Sequence, residues 1–215
     1  KTKQITVNGE VVTKPETKVE PENDKISYKG EMVNYCEYEY YLFYKPAGCV
    51  TATEDHMHKT VMDYLTDTVR SDLFPVGRLD IDTEGLLLIT NDGALAHELL
   101  SPAKHVEKIY YAIIDGIVTE EDVNRFKSGV DIGEEKPTKP GKLRILKSKP
   151  KSEIKLTITE GRFHQVKRMF EAVGKKVLYL KRISMGSLQL TDDLKPGEYR
   201  PLTEEEIIAL KTVNK

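Results

Sequence analysis

The alternation of hydrophobic and polar residues predicts several strands that each bury one face. Apolar residues occupy every second position of EIKLTITEG (153–161), which places Ile154, Leu156 and Ile158 on one side of a strand. Largely apolar runs predict further strands in YYLFYK (40–45), GLLLIT (85–90) and KIYYAIID (108–115). The order of strands and helices has no regular rhythm. The pattern therefore predicts an α+β fold, in which helices flank a mixed but mostly antiparallel sheet.

Two segments carry the clearest helical pattern. In TEEDVNRFKSG (119–129), Thr119 and Asp122 occupy capping-box positions and Gly129 lies near the helix end. In HQVKRMFEAVG (164–174), helical spacing points one face to the core, namely Val166, Met169, Phe170 and Val173. The other side is then predicted to carry His164, Lys167, Arg168 and Glu171. Shorter helices are predicted in TVMDYL (60–65), GALAHELLS (93–101) and TEEEIIALK (203–211).

The first thirty residues form a separate pattern of short strands and turns. ITVNGEVV (5–12) contains Asn8-Gly9 between β-branched residues, which is the strongest short signal for a hairpin. This segment is too short to have a core of its own, so it is expected to belong to a module whose start is missing. The absence of an initial methionine likewise suggests a fragment of a longer protein.

Composition excludes several classes of protein. The chain has 215 residues, of which 39% are apolar and 32% charged, as in soluble globular proteins. No apolar run reaches the roughly 18 to 20 residues of a membrane helix, and the N-terminus lacks the apolar core of a secretory signal. Two cysteines are too few for a disulfide framework. We therefore expect a cytoplasmic protein that makes no contact with membranes.

The distribution of charge is more informative than the net charge of −2. Between Lys139 and Arg182 there are 14 Lys or Arg and only 3 Asp or Glu. A basic segment in a mildly acidic protein is typical of a phosphate-backbone ligand. Charge alone leaves a second interpretation open, in which this face packs against the acidic part of the same chain.

Most motifs for cofactors are missing. EDHMHKT (54–60) contains Asp55, His56 and His58, but no third His or Cys lies nearby, so a surface loop is favoured over a metal site. The chain has no P-loop, no dinucleotide glycine fingerprint and no Gly-x-Ser-x-Gly elbow. We therefore expect neither a cofactor nor a metal.

The acids that precede the strand 85–90 are the main candidates for chemistry. In GRLDIDTEGLLLITNDG (77–93), Arg78, Asp80 and Asp82 directly precede the apolar run. Phosphotransfer by an Asp-x-Asp motif needs an apolar strand before the first acid, and here the strand follows it. An ionised aspartate beside a cation can act as a nucleophile without metal. A purely structural interpretation, in which the acids cap the turn and pair with Arg78, has equal weight on these residues alone.

Three long motifs resemble those of the pseudouridine synthases that modify ribosomal RNA. They are GRLDIDTEGLLLITNDG, VEKIYYAI (106–113) and EGRFHQVKRMFEAVG (160–174), in the order and approximate spacing of that family. TKPGKLRI (138–145) and PGEYRPLTEEEI (196–207) look most like the bacterial enzymes acting on 16S ribosomal RNA. The resemblance covers roughly residues 40–210. The first 30 residues resemble the C-terminal half of an S4 RNA-binding domain, without its first two helices.

The resemblance implies specific roles for three residues. The family's catalytic aspartate falls on Asp80, the tyrosine that stacks the target base falls on Tyr110, and the basic partner of the aspartate falls on Lys167. Some relatives have arginine at the last position. Arg78 matches an arginine that contacts RNA near the flipped nucleotide, and a supporting role in the turn suits Asp82 better. Four further residues of the basic motif are candidates for RNA contact, namely Arg162, His164, Gln165 and Arg168. For Arg162, His164 and Arg168, a position on the exposed face of the helix without RNA contact has equal weight.

The resemblance therefore predicts an isomerase that converts a uridine of 16S ribosomal RNA to pseudouridine. It implies a partial S4-like module and linker in residues 1–35 and a catalytic domain in residues 36–215. The expected partner is 16S ribosomal RNA or an assembly intermediate of the small subunit, bound by a monomer. The alternative is a catalytically silent RNA-binding protein of the same fold that assists ribosome assembly.

Overall fold

The computed structural model describes residues 4–20, 23–33 and 36–212, which fall into two units. Of the described residues, the smaller unit contains 4–20, 23–33, 36–38 and 67–71, and the larger one contains 39–66 and 72–212. Among the described residues of the larger unit, the strands Glu84–Thr90 and Lys176–Met185 are the one parallel pair in the large sheet, and the other pairs are antiparallel. The predicted α+β fold with a mostly antiparallel sheet is confirmed.

The smaller unit contains a four-stranded antiparallel sheet in the order β2-β1-β3-β4. Its strands are β1 (Ile5–Val7), β2 (Glu10–Val12), β3 (Ile26–Tyr28) and β4 (Glu31–Met32). The predicted hairpin is confirmed, because Asn8 and Gly9 connect β1 to β2 with φ angles of 53° and 86°. Two consecutive positive φ angles are the backbone geometry that Asn-Gly favours.

The larger unit is built on a nine-stranded sheet. Along the main path the strand order is β13-β5-β7-β11-β8-β10-β9, with β6 paired to β7 and β12 paired to β11. These strands are β5 (Tyr40–Lys45), β6 (Phe74–Val76), β7 (Glu84–Thr90), β8 (Lys108–Asp115), β9 (Lys142–Lys147), β10 (Lys151–Ile158), β11 (Lys176–Met185), β12 (Leu188–Gln189) and β13 (Tyr199–Pro201).

The α-helices occur at the predicted places. They are α1 (Gly93–Leu100), α2 (Glu120–Ser128), α3 (Gln165–Glu171) and α4 (Glu204–Thr212). The capping box of α2 is present, with Thr119 and Asp122 bonded reciprocally. The helix predicted in TVMDYL is only a short 3-10 turn, Met62–Tyr64. A second 3-10 turn spans Pro102–Lys104.

Helix α3 and the strands beside it share one core. Val166, Met169 and Phe170 of α3 are buried in the same cluster as Ile154 and Leu156 of β10, as the hydrophobic pattern predicts. The cluster also contains Leu79, which directly precedes Asp80, and Tyr110 of β8. This packing brings the three predicted motifs together in one part of the sheet.

Candidate active site

The loop between β6 and β7 carries Asp80, and a buried lysine supports it. We call residues 78–83 the aspartate loop. Lys45, at the end of β5, is fully buried. Its Nζ atom donates to the carbonyl oxygens of Asp80 at 3.0 Å and Thr83 at 2.9 Å. The ammonium therefore binds the main chain of the aspartate loop and leaves the Asp80 carboxylate available.

The segment after β5 gives the aspartate loop a second support. The Oγ1 atom of Thr51 accepts from the amide of Leu79 at 3.1 Å and donates to the carbonyl of the same residue at 2.8 Å. The amide of Gly48 donates to the carbonyl of Ile81 at 2.7 Å. Main-chain hydrogen bonds thus hold the residues on both sides of Asp80.

Lys167 brings the two aspartates of this loop together. Its Nζ atom lies 2.9 Å from Oδ2 of Asp80 and 2.6 Å from Oδ1 of Asp82. The Nε2 atom of His164 lies 3.6 Å from Oδ1 of Asp80. The predicted pairing of Asp80 with Lys167 is present in the geometry, and Asp82 shares the same cation.

The shared cation affects the ionisation of its neighbours. Partial burial alone would raise the pKa of the Asp82 carboxyl, but the hydrogen bond and charge of Lys167 outweigh it and hold that pKa below its usual value. Burial alone would lower the pKa of Lys167, yet its contacts with Asp82 and Asp80 raise that pKa. Lys167 therefore stays protonated at neutral pH.

The hydrophobic pattern of α3 explains why Lys167 reaches the aspartate loop. Val166, directly before Lys167, and Phe170, three residues after it, are buried in the core. Lys167 lies on the adjacent face, and its side chain is 20% exposed. His164 precedes the helix with a φ angle of 49°, in the left-handed region. Its turn directs the chain into α3 beside Asp80.

These side chains line a cleft of about 640 Å³. Its walls include Asp80 and Lys167, and Tyr110 of β8 contributes from the buried sheet surface. Tyr110 is only 7% exposed. The cleft thus combines a carboxylate, its paired cation and an aromatic ring, which can receive a flat heterocycle by stacking.

The rim of the cleft carries exposed side chains. Exposed Arg78 and half-buried His164 line it, as does Phe163, which is 68% exposed. The ring of Phe163 stacks on that of His164, with centroids 3.8 Å apart and planes inclined by 17°. Sequence reasoning missed Phe163, although an aromatic residue inside a basic polar motif is a signal for nucleic-acid stacking. The RNA contacts of Arg78 and His164 stay predictions.

Arg162 bonds within the protein. The Nη1 atom of Arg162 donates to the carbonyl of Lys136 at 2.7 Å, and its Nη2 atom donates to the carbonyl of Pro137 at 2.9 Å. Its Nε atom lies 3.3 Å from a carboxylate oxygen of Glu160. Arg162 therefore holds the segment 134–137 beside the turn that precedes α3, although it also lines the cleft. An RNA contact of Arg162 stays a prediction.

Arg168 and Gln165 also form internal hydrogen bonds. Arg168 bonds Glu134 and the carbonyl of Ile132, and it does not belong to the cleft lining. Gln165 is 4% exposed, accepts from the amide of Arg162 at 2.9 Å and donates to Glu160 at 2.8 Å. The predicted contacts of Arg168 and Gln165 with RNA remain predictions, and their observed role is to order the chain around α3.

Two buried cations on the cleft wall also escaped sequence reasoning. Lys108 of β8 is 7% exposed and Arg182 of β11 is 2% exposed, and both line the cleft. Gly85 makes room for Arg182, since a Cβ atom at Gly85 would collide with the main chain of Arg182. A glycine directly before LLLIT is the one sequence signal of this close approach.

The basic segment 139–182 is divided between the two faces of the sheet. A second concavity of about 800 Å³ contains Lys142, Arg144, Lys155 and Lys181, and it includes none of the candidate site residues. Lys181 and Arg182 are consecutive on β11, so their side chains point to opposite faces. Only part of the predicted basic surface therefore adjoins the cleft.

Residues 4–20, 23–33 and 36–212 contain neither a metal-binding cluster nor a membrane-spanning helix. In this part of the chain no cluster of three or more His, Cys, Asp or Glu side chains has the arrangement of a metal site. His58 pairs with Asp55 at 3.3 Å in the loop 54–60. None of the helices described is both long and apolar enough to cross a membrane.

Comparison with protein families gives a match over residues 39–172, to the family described as RNA pseudouridylate synthase. An uncharacterized RNA pseudouridine synthase of Bacillus subtilis, YtzG, is 46% identical over 205 residues, covering 94% of this chain and 86% of the relative. Ribosomal small subunit pseudouridine synthase A of Escherichia coli K12 is 43% identical over 209 residues, covering 96% and 89%.

Among solved structures, one described as a pseudouridylate synthase superimposes with a TM-score of 0.76 at 39% sequence identity. The match covers 97% of this chain and 89% of that structure. The family match includes the aspartate loop, Tyr110 and Lys167.

Proposed function

The chain belongs to the RNA pseudouridylate synthase family, and from this premise we propose that it isomerises one uridine of 16S ribosomal RNA to pseudouridine. Asp80, Tyr110 and Lys167 are the proposed catalytic residues. The observation that carries the proposal is the Asp80 carboxylate, 2.9 Å from Lys167 and in the same cleft as the buried Tyr110. The names of the relatives that act on small-subunit RNA support the choice of substrate.

The reaction exchanges one bond to the sugar for another. The N1–C1′ bond of uridine breaks, the detached base turns, and a C5–C1′ bond forms. C5 then loses its proton and N1 gains one, so that substrate and product are isomers. This chemistry needs a group that acts on the sugar or the base, and a surface that retains the base while it turns.

The cleft supplies both requirements. The target nucleotide must leave the RNA stack to reach a cleft, which costs a few kcal/mol. Stacking on Tyr110 offsets part of this cost, by about 1 to 3 kcal/mol per base. Asp80 acts on the flipped nucleotide, and Lys167 orients the carboxylate and balances its charge. Exposed Arg78 lies at the rim, where the RNA backbone would enter.

We extend the proposal to the partners and the location of the protein. Residues 1–35 would act as the partial S4-like module that binds RNA beside the target, as their resemblance to that domain suggests. We propose a monomer as the working unit. We also propose a cytoplasmic location, which suits an enzyme that acts on ribosomal RNA, free or in an assembling small subunit.

Tritium release measures the proposed activity. The chain is incubated with 16S ribosomal RNA, with large-subunit RNA and with small-subunit particles, each labelled with tritium at C5 of uridine. We expect release from the 16S species at a single uridine and none from large-subunit RNA. Equal release from 16S RNA and large-subunit RNA would contradict the proposal that 16S RNA is the substrate. Binding to 16S RNA without release from any species would favour the silent assembly protein.

A further inference from the structure

Two cations are buried in the cleft without a matching anion. Arg182 donates through Nε to the carbonyl of Leu86 at 2.8 Å, but its Nη2 atom is buried and has no hydrogen-bond partner in the described chain. Lys108 makes a long contact of 3.3 Å with the carbonyl of Val106. Neither side chain forms an ion pair with a carboxylate within residues 4–20, 23–33 and 36–212.

This arrangement is unfavourable for the empty protein. Burial, and to a smaller extent the positive charge of Arg182, lower the pKa of Lys108 to about 8. A buried charge without a partner costs several kcal/mol, and a donor without an acceptor adds to that cost. Such groups in a cleft are candidates for binding an anionic or strongly accepting atom of a ligand.

Strand pairing places Arg182 next to the stacking residue. Arg182 of β11 and Tyr110 of β8 are directly opposed in the antiparallel ladder. Residues opposed in this way have Cβ atoms about 4.5 to 5.5 Å apart on the same face. A base stacked on Tyr110 would therefore present its edge to the guanidinium group. The RNA phosphates would stay at the rim, because Arg182 lies at the bottom of the cleft and is almost fully buried.

We propose that Arg182 and Lys108 form an oxyanion site that receives a carbonyl oxygen of the flipped uracil. This inference rests on the proposed function. When the N1–C1′ bond breaks, its electron pair stays with the base, and the negative charge spreads onto the carbonyl oxygens. The free Nη2–H group of Arg182 donates to one of these oxygens, and Lys108 adds a second positive charge. The charge disappears when the C5–C1′ bond has formed, C5 has lost its proton and N1 has gained one.

Single-turnover kinetics at saturating 16S RNA test this assignment. We expect Arg182→Met to lower the rate by about 100-fold, the usual effect of removing one oxyanion donor, and Lys108→Met to lower it by about tenfold. The dissociation constant for RNA should change by less than about threefold, because the contact strengthens only as charge develops. Lys181→Met is the matched control, since it removes a charge from the same strand on the opposite face, and its rate should equal that of the wild type.

Two results would overturn the oxyanion site. One is that Arg182→Met and Lys108→Met both react at the same rate as Lys181→Met. The other is a loss that appears only as weaker RNA binding, which would indicate a phosphate contact. Should Arg182→Met not fold, Lys108→Met decides alone, since this change removes a charge that burial already disfavours.

Thio-substituted RNA separates a direct contact from structural support. In 2-thiouridine or 4-thiouridine, sulfur replaces one carbonyl oxygen, accepts hydrogen bonds weakly and carries negative charge well by itself. For each RNA, the wild-type rate is divided by the rate of Arg182→Met. For either the 2-thiouridine or the 4-thiouridine RNA, this ratio should be at least fivefold smaller than for the uridine RNA. Equal ratios for all substrates that the wild type converts would show that Arg182 only supports the strand. A wild type that converts no uridine would instead refute the proposed function.

Discussion

The Nζ atom of Lys167 lies 2.9 Å from Oδ2 of Asp80, although the two residues belong to different motifs. Asp80 lies in the loop before β7, and Lys167 lies on α3, whose other face is buried in the core. The ion pair therefore exists only when α3 has packed against the sheet. The geometry of the cleft therefore depends on the packing of the core.

Removing the charge of Lys167 should slow the reaction strongly. We predict that Lys167→Met lowers the single-turnover rate by about 100-fold, since Asp80 and Asp82 then face each other without a cation. Lys167→Arg keeps the charge and should stay within about tenfold of the wild type. Equal rates for the Met and Arg variants would show that the charge at this position is not needed.

Lys45 should matter for stability as well as for activity. In Lys45→Met, the buried carbonyl oxygens of Asp80 and Thr83 lose their donor. Each buried acceptor without a partner costs about 1 to 3 kcal/mol, so we predict a loss of about 3 kcal/mol in the free energy of unfolding. Urea denaturation measures this loss. Lys155→Met, on the opposite face of the sheet, is the control, and an equally small effect of both changes would contradict the role of Lys45.

Lys108→Met, unlike Lys45→Met, should increase the free energy of unfolding. The pKa of Lys108 falls to about 8 from an ordinary 10.5, because burial and then Arg182 disfavour its charge. The folded protein therefore carries a penalty at neutral pH that the Met variant lacks. We predict that the variant is more stable by about 2 to 3 kcal/mol at pH 7 while it is less active. A loss of stability would show that Lys108 is an ordinary structural residue.

The pH dependence of this gain follows from the direction of the pKa shift. Between about pH 8 and 10.5 the unfolded chain binds more protons at Lys108 than the folded protein does, so the stability of the wild type rises with pH in this window. The difference between Lys108→Met and the wild type should be full below pH 8 and should vanish near pH 10.5. A difference that is constant across this range would contradict the shifted pKa. Denaturation at several pH values provides the measurement.

Local patterns in the sequence were sufficient to predict most strands and helices and to predict which side of α3 faces the core. Alternation predicted β10, and the spacing of Thr119 and Asp122 predicted the cap of α2. These features depend on neighbours a few residues apart. TVMDYL was the exception, because its apolar residues pack against the strands β5 and β7 as a 3-10 turn rather than as a helix.

Contacts between distant segments could not be predicted in the same way. Nothing local to YYLFYK indicates that Lys45 is fully buried, since its four hydrogen-bond acceptors belong partly to the aspartate loop. Arg162 and Arg168 look like free basic residues in the sequence, yet each binds the segment 132–137. The register of β8 and β11 alone brings Arg182 beside Tyr110.

The central claim is that Asp80 performs the chemistry, and Asp82 offers a matched control. Both carboxylates contact Lys167, but only Asp80 lines the cleft, and the side chain of Asp82 is 64% exposed. The most direct measurement is tritium release from 16S RNA labelled at C5 of uridine, with the wild type, Asp80→Asn and Asp82→Asn at equal saturation. We predict that Asp80→Asn lowers release by more than about 1,000-fold, while Asp82→Asn stays within about tenfold of the wild type. Release by Asp80→Asn at the rate of Asp82→Asn would contradict the account.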